Sequence, residues 1–241
     1  MDDFDLDPAE IEHIFRDLDR VNELLGGTTI TIDGLKKLLR KIPLEQPIVI
    51  LDIGCGNGSM LRTIAELGRK QQWNMKLIGI DANPEAISLA QKQSISYPSI
   101  EYHCLNVQSS DFAQLSADII LCTLTLHHFN DQEIIKLVNS FMTKARVGVV
   151  INDLQRSKLA FHLFKAFSAV FMRNKIAKQD GLLSIKRSFS TEDFDRYIAQ
   201  LQEGEHEIRW KWAFRYQWLI YSANNTIKSE NGYGRENNRS K

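Results

Sequence analysis

The chain is poor in cysteine and without a charge of prevailing sign, and each lack closes a class of function. Its three cysteines, Cys55, Cys104 and Cys122, are odd in number and sit in or beside apolar stretches. No CxxC or Cys/His metal spacing occurs, so reduced, buried thiols are expected rather than a disulfide framework or a metal site. Lys plus Arg and Asp plus Glu both number 30, which leaves a formal charge of zero. That balance gives no long-range pull toward nucleic acid or an anionic membrane; a small-molecule partner fits better. The longest nearly apolar stretches, 117–126 and 160–172, fall short of the about 20 residues a bilayer crossing needs. The opening Met1-Asp-Asp-Phe-Asp5 is acidic and has no apolar run, so no secretory signal is expected. These absences lead to a soluble, cytoplasmic chain, and do not choose between monomer and homodimer.

What is present is apolar patterning: 43% of the 241 residues are hydrophobic, enough for the core of one large domain. Ile11, Ile14, Phe15, Leu18, Val21 and Leu25 recur at helical spacing, and Gly26-Gly27 closes the run. A second helix is expected from near Thr31 or Asp33 to Pro43. From residue 46 the pattern changes to short, continuously apolar segments alternating with amphipathic ones. Strands are expected at 48–53, 77–80, 100–105, 118–121 and 147–151, with helices near 58–70, 84–93 and 131–144. Apolar strands joined by helices indicate a parallel sheet covered on both faces. After the fifth strand the alternation stops. Residues 154–172 form an amphipathic stretch, a polar, basic connector runs to Arg187, and Ser190 caps a helix with Asp193 three residues on. Two closing runs, 207–214 and 216–222, are too near each other for a helical crossover and must pair antiparallel. The expected fold is α/β, a Rossmann-like doubly wound sheet of seven strands, mostly parallel, finished by an antiparallel hairpin. The expected organisation is one domain over 1–223: a helical cap (1–45), a cofactor core (46–153), a lid-like insertion (154–189), and the last helix and hairpin (190–223). The Asn-, Ser- and Gly-rich tail, 224–241, is expected to be disordered.

The chemistry concentrates after the first strand. Ile48–Ile53 runs into Gly54-Cys55-Gly56-Asn57-Gly58, and a helix follows. Glycines let a ligand lie against bare backbone, and the helix presents free N–H groups. Ligands of a doubly wound sheet bind beyond the carboxyl ends of its strands. A dinucleotide fingerprint beginning at Gly54 would need glycine at 59, where the chain has Ser59. The third glycine instead falls one place early, and Asp52 precedes the first by two. S-adenosylmethionine (SAM) has no pyrophosphate, and its ammonium suits a nearby carboxylate. Asp81 ends the second strand, where an acid can accept both ribose hydroxyls. An ordinary helix cap would explain Asp81 taken by itself, but not together with the turn one strand earlier.

Asp52–Gly58, Asp81-Ala82, Cys104-Leu-Asn-Val107 and Cys122-Thr-Leu-Thr-Leu-His-His-Phe129 together resemble the SAM-dependent methyltransferase superfamily over roughly residues 46–153. The resemblance implies that Asn106 and Val107 border the adenine and that Thr123 and Leu124 line the cofactor. Many members have Asp where this chain has Asn106; the amide carbonyl can still accept from the adenine amino group.

Methyl transfer to a hydroxyl needs a base, and His127 and His128 follow the fourth strand, beside the expected methyl position. Shaping the pocket is the other role open to this pair. Beyond strand five, Asn152, Asp153, Arg156 and His162 are the polar candidates for acceptor binding. Phe164 and Phe167 head an aromatic helix face, which packing alone would also explain. The Asn152-Asp-Leu-Gln-Arg-Ser157 run, the histidine pair, Asp17–Asn22 with Gly26-Gly27, and the Trp/Arg-rich hairpin are similar to bacterial small-molecule methyltransferases that accompany type III polyketide synthases. That resemblance implies a phenolic or polyketide acceptor with a lipid-like tail. O-methylation of such a metabolite is the leading expectation, ahead of C-methylation of a quinone precursor. A non-catalytic module of the same fold and a dehydrogenase are weaker readings. Methylation of nucleic acid is disfavoured by the absence of an Asn-Pro-Pro-Tyr-like run after strand four.

Overall fold

A computed structural model of the chain describes residues 8–42, 46–172 and 174–222. The acidic first residues and the tail from Asn224, for which disorder was expected, lie outside these. Seven strands form one sheet: β1 (Ile48–Ile53), β2 (Met75–Asp81), β3 (Ile100–Cys104), β4 (Ala117–Thr123), β5 (Ala145–Leu154), β6 (Glu205–Lys211) and β7 (Arg215–Tyr221). Their order is β3-β2-β1-β4-β5-β7-β6. The first five strands run parallel, and β7 enters antiparallel between β5 and β6.

Side chains alternate along a strand, so a strand buried on both faces must be apolar at odd and even positions alike. In β1, Ile48 and Ile50 face one layer, with Leu35, Leu38, Leu61 and Ile64. Leu51 and Ile53 face the other, with Phe141, Phe194 and Trp218. The first layer is built by α2 (Gly27–Leu39), α3 (Ser59–Gln71) and α4 (Pro84–Gln93), the second by α5 (Asp131–Lys144) and α8 (Thr191–Ile198). A third cluster joins α1 (Pro8–Leu24) to α6 (Lys158–Phe171) and α7 (Lys175–Arg187), through Ile14, Val21, Met172, Ala177, Phe164 and Phe167.

Three sequence expectations change. The connector before Arg187 is helix α7, started by Asn174, whose side chain accepts from the N–H groups of Ile176 and Ala177. Its polar composition is that of a helix burying only a narrow stripe, Ala177, Ser184 and Ile185. Helix α2 begins at Gly27, four residues before Thr31, although Thr28, Thr29 and Ile30 are β-branched. Tertiary contacts override that weak preference: Thr31 is fully buried, with its hydroxyl 3.0 Å from that of Thr123. Strand β5 runs three residues past Ile151, so Asn152 and Asp153 are strand residues, paired in register with Gln217 and Tyr216.

Candidate active site

A cavity of about 780 Å³ opens beyond the carboxyl ends of the parallel strands. On one side its wall is the glycine turn. Gly54 has φ +70°, and a Cβ there would sit 2.4 Å from the Thr125 hydroxyl, so only glycine allows the β1 and β4 ends to close together. Asp52, Gly54, Cys55, Gly56 and Asn57 line the cavity; Gly58 packs behind the turn, against Tyr102. Helix α1 clasps the turn: Asp19 accepts from the Asn57 amide (2.6 Å) and from the Ser59 hydroxyl (2.8 Å). Nothing local to Asp19 singles it out chemically, because its partners are 38 and 40 residues away.

Asp52 is 2% exposed. Burial, and then the neighbouring Asp81 carboxylate, push its carboxyl up to about 8. Two acids held this close, one of them out of water, invite a cation between them. Asp81 accepts the Gly56 N–H on Oδ2 (2.9 Å) and the Asn83 N–H on Oδ1 (2.9 Å), which leaves one lone pair on each oxygen toward the cavity. Ala82, Asn106 and Val107 follow along the wall. The Asn106 carbonyl oxygen already accepts the Gln108 N–H (2.9 Å), so it too has one lone pair left. Thr123 and Leu124 close this side; Leu124 takes φ +55°, a strained conformation for a branched side chain, fixed by its N–H bond to the Asn152 carbonyl (2.8 Å). Burial pushes the Cys55 and Cys122 thiols well up, so neither is a nucleophile at neutral pH. Among the described residues no cluster of three or more metal-ligating side chains exists.

The other side of the cavity carries the histidines. Both line it, with ring centroids 4.4 Å apart. They differ in setting: His128 is exposed, whereas His127 is buried and its Nδ1 lies 2.7 Å from Asp153 Oδ1. Burial opposes the Asp153 charge, but the His127 ring and its hydrogen bond outweigh this and hold the carboxyl below its ordinary value. An ionised Asp153 only accepts, so Nδ1 carries the proton and Nε2 keeps a free lone pair. His127 Nε2 is buried and without a partner.

The polar candidates after strand five do not gather at the cavity. Asn152 is fully buried and donates to the Gly27 carbonyl (2.8 Å) and the Thr31 hydroxyl (2.9 Å), tying α2 to the sheet. Asp153 lies behind His127. Arg156 turns to Asp193 (2.7 Å) in the first turn of α8, and His162 faces solvent with its edge on Phe161. The pleat explains the first pair and the helix period the last. Phe164 and Phe167 do line the cavity, as do Leu163, Gly181, Ser184 and Ile185 of the α6–α7 pair. The hairpin adds Trp212, Ala213, Phe214 and Arg215. Arg215 is the most unexpected of these. The signal for it was a lone cation heading the otherwise uncharged strand Arg-Tyr-Gln-Trp-Leu-Ile-Tyr.

Residues 50–148 match a family model described as a methyltransferase domain. Among curated proteins, the chain is 26% identical over 221 residues to a carboxy-S-adenosyl-L-methionine synthase of Helicobacter pylori, covering 85% of this chain and 88% of that protein. It is 27% identical over 117 residues to a ubiquinone biosynthesis O-methyltransferase of Albidiferax ferrireducens, covering 47% and 44%. Among solved structures, the plantazolicin methyltransferase BpumL in complex with SAH aligns with TM-score 0.64 at 17% identity, over 89% of this chain and 95% of that one. The magnesium protoporphyrin IX methyltransferase of Synechocystis PCC 6803 with bound SAH aligns with TM-score 0.54 at 14% identity, over 82% and 84%.

Proposed function

We propose that this chain, a SAM-dependent methyltransferase with its matched domain at residues 50–148, methylates a hydroxyl of a small, largely apolar and phenolic metabolite. The observation that carries the reading is the buried Asp153–His127 pair, whose free Nε2 belongs to a side chain on the cavity wall.

The glycine-turn side suits the cofactor. Asp52, raised by burial, regains its charge beside the ammonium of the methionine moiety. Asp81 has one open lone pair on each oxygen for the ribose hydroxyls, and Leu105, Val107 and Phe129 offer apolar surface for the adenine. When bound, SAM supplies a methyl group on a sulfonium, an electrophile needing no metal.

On the facing side the acceptor hydroxyl donates to Nε2 of His127. With SAM in place the ring would take that proton as the methyl group passes from sulfur to the acceptor oxygen, leaving S-adenosylhomocysteine, and Asp153 would stabilise the imidazolium that forms. Phe164 and Phe167 bury the acceptor body and keep water from the nucleophile. In this reading 154–189 acts as a lid, built from the α6–α7 pair.

Incubation with SAM labelled in the methyl group and a panel of alkylated phenols, with mass analysis of the product, tests the proposal. A label on oxygen is the expected result. Label on a ring carbon makes the chain a C-methyltransferase, and a cofactor that binds without transfer to any acceptor defeats the reading.

A further inference from the structure

The cavity holds one charge that methyl transfer to a neutral phenol does not use. Arg215 opens β7, opposite Leu154 on β5, and is 2% exposed. It is the only lysine or arginine lining the cavity among the described residues. Its Nε and Nη1 are buried with no acceptor. Asp153 is near enough to favour the guanidinium charge, but no hydrogen bond joins the two: Oδ1 holds His127 Nδ1 and the Leu154 N–H (2.7 Å), and Oδ2 the His127 N–H (3.4 Å). Burial lowers Arg215 only to about 10, so it stays a cation at neutral pH.

A buried cation whose N–H groups lack an acceptor is costly, and an anion arriving in the same cavity offsets that cost. We propose that Arg215 receives a carboxylate of the acceptor, so that the substrate is an amphipathic organic acid: a hydroxylated aromatic body with an acidic group. This rests on the methyl-transfer reading above.

Placement separates this from a role on the cofactor. The candidate cofactor acids stand at the ends of β1 and β2, whereas β7 lies three strands from β1, about 14 Å at the usual strand spacing. The guanidinium packs against Gly27, near Asn22 Oδ1, and the cavity it lines carries the apolar side chains of Phe214, Trp212, Phe164 and Phe167 on its wall. In such surroundings the planar fork of a guanidinium discriminates strongly for a carboxylate over its uncharged ester. His127 lines the same cavity and Asp153 stands near both side chains, so one ligand can meet both groups: a hydroxyl at the imidazole and an acid at the guanidinium.

The test is calorimetry on the full chain loaded with SAH, titrated with hexylsalicylic acid and with its methyl ester. Failure of the methyltransferase reading would appear earlier, as absence of SAH binding by the wild type. The acid should bind about tenfold or more tightly than the ester, the scale of a charged hydrogen bond. Arg215→Met should abolish that preference and leave SAH affinity unchanged. Arg215→Lys, which keeps the charge, should retain part of the preference, and guards against a Met variant that merely misfolds. Equal affinity for acid and ester, or no binding of the acid by the wild type, overturns the proposal. So does an Arg215→Met variant that loses SAH affinity and keeps the preference for the acid.

Discussion

Asp153 Oδ1 stands 2.7 Å from His127 Nδ1 with both side chains buried, and this contact separates two histidines that adjacency in sequence could not. In the proposed mechanism the fixed tautomer makes His127 the base. Replacing it with Ala should slow turnover by about 10²–10⁴-fold with SAM affinity intact. His128→Ala, which removes an exposed ring, should retain most activity. The reverse ranking, measured by single-turnover methyl transfer, would sink the assignment.

In the proposed mechanism Asp153 acts through His127 and so has its own signature. Asp153→Asn can donate to Nδ1 and invert the tautomer, leaving Nε2 protonated. The rate should fall by about tenfold or more with SAM affinity intact, because Nε2 then carries the proton and cannot take the acceptor's. An undiminished rate would reduce Asp153 to packing.

Asp81 should be a cofactor residue with a structural share, since it also holds the Gly56 and Asn83 N–H groups. Asp81→Ala should weaken SAM binding by about 1–3 kcal/mol in calorimetry. Unchanged affinity would refute the ribose role.

Asp52 gives the ligand-free protein a pH dependence. Its carboxyl is pushed up to about 8 by burial and then by Asp81. Unfolding releases it to an ordinary carboxylate value, so between about pH 4 and 8 the unfolded chain binds fewer protons than the folded one. Stability therefore falls as pH rises through that window, by up to about 1.4 kcal/mol per unit from this group. Urea denaturation at pH 6 and pH 8 should reveal the loss, and Asp52→Asn should remove it. Equal pH dependence in both proteins would refute the assignment.

Gly58 sits at φ +76° with Tyr102 Oη 2.1 Å from where a Cβ would be. Gly58→Ala should cost about 2–4 kcal/mol, from the left-handed backbone and the crowded ring together. A variant as stable as the wild type would mean that the turn relaxes freely.

The glycine-turn wall of the cavity was legible in the sequence because its residues are local. Asp52 to Gly58 is one strand end and one turn, and Asp81 ends the next strand. Fold class was legible for a related reason: strands apolar at every position admit few arrangements. Asp19, His127's partner and Arg215 were not, since each acts over contacts set by the packed sheet. Asn152 and Asp153 looked like loop residues at a pocket mouth only while β5 was taken to end at Ile151. Once the strand continues, the pleat sends them inward. Helix α7 was hidden because a helix burying one narrow stripe resembles a polar connector in composition.

The strand order has a consequence for how such a protein can change. The acids and glycines stand on β1 and β2, while His127, Asp153 and Arg215 stand beyond β4, on β5 and on β7. Mutations that reshape the second group need not disturb the first. A lineage could then exchange its chemical clientele by rewriting the second half of the chain, from the end of β4 onward, leaving the glycine turn and Asp81 untouched. Chimeras joined after Leu121, with the later part taken from a relative, are the natural way to harvest new specificities from this scaffold.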